Sequence, residues 1–86
     1  MSQEELLTFQ PPTWESLKQQ ALSHFKGSHR KEYRELKQNP QELEEYLESK
    51  AYNTKSYAES LQRQGVWAGR AWEIAVREVI LGVPAD

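Results

Sequence analysis

The sequence predicts an all-α fold, a small bundle of three or four helices preceded by an extended N-terminal arm, on three observations. Apolar residues recur at three- and four-residue spacing along most of the chain. No run alternates apolar and polar residues as a half-buried strand does. Helix start and stop residues stand at the ends of the periodic stretches. The expected helices cover residues 14–25, 29–38, 40–64 and 67–81 of 86, within a single helical domain over 13–86 that comes after an arm over 1–12.

Pro11-Pro12 separates the arm from the helical domain, because two prolines cannot continue a helix and favour extended backbone. The arm's apolar content is Leu6, Leu7 and Phe9, which is suited to lying against the bundle or binding a partner. Thr13 then reads as an N-cap, and Trp14, Leu17, Ala21, Leu22 and Phe25 form the apolar stripe of a first helix. Gly27-Ser28 reads as a stop and then a cap. His29, Tyr33 and Leu36 nevertheless hold the same phase, so the break at Gly27 rests on local chemistry alone.

Asn39-Pro40-Gln41-Glu42 combines a favoured cap, a proline at the first helical position and a glutamate at the third. Three start signals within four residues place a helix here. Leu43, Tyr46, Leu47, Ala51, Tyr57, Ala58 and Leu61 then keep one narrow stripe for more than five turns. Phase kept across Asn53-Thr54 argues for one continuous rod of about 37 Å, at about 1.5 Å per residue. Lys50 and Thr54 interrupt the stripe, Tyr52 points away from it, and Gly65 ends it as a C′ glycine.

The last helix, WAGRAWEIAVREVIL, is apolar around most of its circumference, with Arg70, Glu73 and Arg77 as a polar wedge. Gly82 and then Pro84 end it. Such a helix needs cover on nearly all sides, either from its own chain as the centre of the bundle or from another chain. Trp67 and Trp72 are five residues apart, about 140° on a helical wheel, so one neighbouring helix does not easily cover both. The expected use is therefore non-enzymatic: a protein-protein interaction module that forms a homodimer or docks on a protein partner through Trp67, Trp72, Val76 and Ile80.

Composition narrows the alternatives. There is no cysteine, which excludes disulfides and thiolate metal sites and fits a reducing cytoplasm. No apolar run approaches the roughly 18 residues of a membrane span, and the acidic amino terminus is unlike a secretion signal. Net charge is −2, too close to neutral to steer the whole molecule onto nucleic acid. The distribution is uneven: residues 13–39 are net +3 and residues 40–53 net −3. Adjacent segments of opposite sign suit the register of a helix pair, and equally a chain with one basic face.

That basic face is the second expectation. Lys26, Arg30, Lys31, Arg34 and Lys37 are placed to meet phosphates and Tyr33 to stack on a base, in a nucleic-acid-binding accessory or regulatory protein. The ordinary alternative is a charged surface paired with Glu32, Glu35 and the acids after Pro40. The corner at Gly65 has the outline of a helix-turn-helix. Its second helix offers Trp67, Trp72, Ile74 and Val76 where base reading needs polar side chains.

No catalytic, cofactor-binding or metal-ligating set is expected, and no small-molecule substrate. His24 and His29 are spaced five apart, without the helical spacing and neighbouring donors of a metal site. Glu44, Glu45 and Glu48 lie on the polar side of their helix, without the burial that raises a carboxyl pKa for acid catalysis. The four glycines are scattered and build no phosphate loop.

Overall fold

A computed structural model describes residues 9–83, and among them the chain is all-helical. Helix α1 spans Trp14–Ser28, α2 Arg30–Leu36, α3 Pro40–Arg63 and α4 Ala68–Ala75, which runs on into a π-helical turn over Val76–Ile80. Both expected side-chain caps form. Thr13 Oγ1 accepts from the Ser16 N–H at 3.1 Å and Asn39 Oδ1 from the Glu42 N–H at 3.3 Å. Each such cap contributes about 1 kcal/mol by satisfying an amide the helix itself cannot.

The helix ends arise equally from local chemistry. Beyond α3, the Val66 N–H reaches the Leu61 carbonyl at 3.0 Å and the Gly65 N–H the Gln62 carbonyl at 3.0 Å. This double closure is a Schellman motif. It requires a left-handed residue, which Gly65 supplies at φ +100°. The long helix passes Asn53 unbroken, as the unchanged phase of its stripe predicts.

The break between α1 and α2 falls at His29, two residues beyond the expected stop at Gly27, which lies inside α1. His29 adopts φ −130° and ψ 57° and belongs to both helices, its N–H on the Phe25 carbonyl and its own carbonyl on the Tyr33 N–H, each at 2.9 Å. Neither Ser28 nor His29 caps α2 with a side chain. Ring packing accompanies the bend: Phe25 meets Tyr46 at 4.5 Å and Tyr33 edge-on at 6.0 Å.

The core joins α1, α3 and the terminal helix. Leu17 and Ala21 meet Leu47, Ala51 and Ala58, and Trp72, Ala75 and Ile80 close it from the third side. Helices α3 and α4 make the most extensive contact, through small residues: Ala51, Thr54, Ala58, Ala71 and Ala75 are all wholly buried. With no bulk between them the backbones approach closely, leaving no room for a larger side chain. Helix α2 contributes no buried residue to the core.

Both interruptions of the α3 stripe are accounted for by this packing. Thr54 Oγ1 donates to the Lys50 carbonyl one turn back at 2.7 Å, so a buried hydroxyl is satisfied within its own helix. Lys50 runs out of the core, and its Nζ donates to the Val79 carbonyl at 3.2 Å. A cation at the carbonyl end of a helix is favourable electrostatically as well as by hydrogen bonding. Tyr57 adds a second link, its hydroxyl donating to Glu78 at 2.8 Å.

Candidate interaction surfaces

The terminal helix differs from the uniform rod that the sequence predicts, in two places. Trp67 is the N-cap rather than the first helical residue, with extended backbone at φ −68° and ψ 154°. It therefore has no position on the wheel. Its indole folds back over the first turn of α4, where a Cβ at Gly69 would overlap the ring. Phe9, from the arm, packs edge-on against it with ring centroids 6.0 Å apart.

The second departure is the π turn. The Leu81 N–H reaches the Val76 carbonyl at 3.1 Å and the Val83 N–H the Arg77 carbonyl at 2.9 Å, each bond spanning more residues than an α-helix allows. On a straight α-helix Ile80 would stand about 140° from Ala75. Each residue of a wider turn advances less around the axis, which brings Ile80 back toward the core side. Ile80 is 4% exposed and Ala75 wholly buried. The unwinding thus places Ile80 in the chain's own core, while Leu81 beside it stays exposed.

The four residues expected to form one outward face are accordingly divided. Trp72 and Ile80 belong to the chain's own core, Val76 is half-buried against it, and Trp67 is 42% exposed. Arg70 and Arg77 both pair with Glu73, at 3.0 and 3.6 Å, along the solvated side. Of the arm, Phe9 packs on the core, while Leu6 and Leu7 lie outside the described residues. Phe9 separates two open grooves of about 560 and 460 Å³. Trp72 and Phe9 line both, with Ala68 on one side and Val76 on the other. Tyr52 is 62% exposed on the far side of α3.

The basic segment forms a second surface. Lys26, Arg30, Lys31, Arg34 and Lys37 are all exposed. Arg30, Arg34 and Lys37 fall at helical spacing along one flank of α2, with Glu32 and Glu35 on the other. Among the described residues none of the five makes an ion pair. The charge contact between the basic and acidic segments is instead Lys18 with Glu44, joining α1 to α3. That hydrogen bond, opposed by partial desolvation and aided by the negative charge of Glu44, raises the Lys18 pKa above its ordinary value.

Tyr33 is not available for base stacking as expected. It is half-buried, its edge meets Phe25, and Lys26 and Lys37 hold their ammonium groups over its ring at 5.6 and 5.9 Å. Its ring thus meets two of the five cations. Behind it, burial raises the Tyr46 pKa.

His24 and His29 meet edge-on at 5.9 Å, and among the described residues no three histidine or acidic side chains are grouped to hold a metal ion. None of the described helices is long and apolar enough to cross a membrane. Glu44, Glu45 and Glu48 are all exposed. Periodicity in the sequence gives no sign of two residues that matter to the terminal helix. Lys50 registers there only as a flaw in the α3 stripe, and Glu78 falls outside the polar wedge.

The architecture defines a small all-α bundle. Compared with known proteins, the chain matches no family model, no curated sequence and no solved structure.

Proposed function

We propose that this chain is a non-enzymatic protein-interaction module of the cytoplasm that pairs with a second copy of itself at the start of its terminal helix, with Trp67 as the anchor. The observation carrying this reading is that Trp67 stays 42% exposed in a helix whose other large apolar residues are mostly covered. Tryptophan is among the residues that dominate interface energetics, and an indole held between Phe9 and Gly69 loses little rotational freedom on docking. The grooves on either side of Phe9 offer receiving surface for an aromatic side chain. Trp72 lines both grooves and Val76 one of them, while Ile80 lies farther along in the chain's own core.

A second copy is favoured because one chain carries both the exposed anchor, Trp67, and the open grooves beside Phe9 that would receive it. A domain of 86 residues buries only about 60–65% of its unfolded surface and gains proportionately from a partner. The cytoplasmic setting rests on the lack of cysteine.

Sedimentation equilibrium over micromolar concentrations tests the proposal. A dimer is expected for the unaltered chain and a folded monomer for Trp67→Glu, since an exposed position accepts a charge that an interface does not. A monomer at every concentration, with Trp67 open to a soluble quencher, overturns it. So does a dimer that Trp67→Glu leaves intact.

A further inference from the structure

We propose that the basic flank of α2, built from Arg30, Arg34 and Lys37 with Lys26 and Lys31 beside them, is a docking surface for the phosphate backbone of a nucleic acid, read without regard to base sequence. This inference stands apart from the pairing proposed above. It rests on how the charges are arranged. Five exposed cations gather within twelve residues of a molecule that is acidic overall, and among the described residues none is neutralised by an ion pair. Glu32 and Glu35, their near neighbours in the chain, lie on the opposite flank of the same helix.

Lys26 and Lys37, from the two ends of the α1–α2 segment, converge on the ring of Tyr33. That convergence joins the end of α1 to the far end of α2 as one positive ridge. Arg30 and Arg34, one turn apart, present planar donor forks that match phosphate oxygens two at a time. Their spacing of about 6 Å along the axis spans roughly two phosphates of one strand of a duplex.

Two features select nucleic acid over an anionic membrane. An interfacial helix buries an apolar face in the lipid, but the large apolar residues of α2, Tyr33 and Leu36, are half-buried toward the protein. Arg30, Arg34 and Lys37 also form a line along one flank of α2, which suits a linear polyanion. With Tyr33 occupied by Phe25 and two lysines, no aromatic face on α2 is free to stack on a base. Recognition is therefore of the backbone alone.

The experiment is fluorescence anisotropy of a short labelled DNA duplex of mixed sequence, titrated with the full chain at several salt concentrations. About four phosphate contacts give a log-log salt slope of about −3.6, so raising salt fourfold weakens binding about 150-fold. Arg30→Ala/Arg34→Ala is expected to weaken binding at low salt and to flatten the slope by about 2, with helical circular dichroism unchanged because both positions are exposed. Tyr33→Leu keeps the apolar contact with Phe25 and releases the lysines, and is expected to weaken binding without changing preference among sequences. Absence of binding at low salt overturns the proposal. It is equally overturned if the double variant keeps the full slope, or if vesicles containing anionic lipid bind the ridge while the duplex does not.

Discussion

Replacing Trp72 with alanine separates the two ways in which the apolar terminal helix can be covered. Trp72 is 8% exposed and packs among Leu17, Ala21 and Ala75, so nearly all of its side chain leaves water when the chain folds. An aromatic side chain buries about 150–250 Å², worth about 4–6 kcal/mol at about 25 cal/mol per Å². The two open grooves beside Trp72 give neighbours and solvent room to move into the space, which lowers the figure to about 3–4 kcal/mol. Against a total stability of about 4–13 kcal/mol for a chain of this size, that loss is a large part of the margin. Urea unfolding monitored by helical circular dichroism, at a concentration held constant because association itself stabilises, measures it as a shift of midpoint at unchanged slope. Trp67→Ala, in parallel, is expected to cost about 1 kcal/mol or less in the monomer. If Trp72→Ala costs under about 1 kcal/mol, the assignment of Trp72 to the chain's own core is wrong.

Three further outcomes are expected from the packing of α3 against its neighbours. Ala75→Leu forces a larger side chain into a wholly buried contact of small residues and is expected to destabilise the fold by about 1–3 kcal/mol or more in the same urea assay. Lys50→Met keeps the aliphatic stem but removes the donor to the Val79 carbonyl. Amide exchange of Ile80 and Leu81 should speed up by the equivalent of about 1 kcal/mol, while that of mid-α3 amides changes little. Alkaline titration should destabilise the chain. The hydrogen bond to Glu78 raises the Tyr57 pKa and the hydrogen bond to Glu44 raises that of Lys18, so folding favours the protonated form of both. Their contribution is complete below the unfolded-state values of about 10 and is lost as pH climbs through the raised ones. Tyr57→Phe should remove part of that loss; an identical pH profile in the variant counts against the Tyr57 link.

Most of the helix plan is readable in the sequence because its signals are local. A cap such as Thr13 or Asn39 needs only an amide two or three residues away, and Gly65 supplies a left-handed conformation that other residues rarely adopt. The unbroken run of α3 past Asn53 is readable from phase, since a helix that keeps its stripe keeps its partner. Gly27 misleads by about two residues. A glycine within an exposed helical turn costs about 1 kcal/mol, a penalty small enough for the packing of Phe25 on Tyr46 and Tyr33 to place the bend at His29 instead.

The candidate surfaces are only half readable. A helical wheel assumes equal rotation per residue, so neither the extended backbone at Trp67 nor the π turn over Val76–Ile80 is visible to it, and both redistribute the apolar face. The basic segment is plain in composition, and helical spacing already sets Glu32 and Glu35 apart from Arg30, Arg34 and Lys37; packing decided that Tyr33 is half-buried against Phe25. Periodicity and capping residues, acting over a few peptide units, decided that this polypeptide is helical and where its helices begin and stop. Tertiary packing decided which tryptophan is hidden, how the last helix unwinds to hide Ile80, and why Lys50 stands in an apolar stripe. Each of those depends on residues far apart in the chain, whose meeting no local pattern encodes.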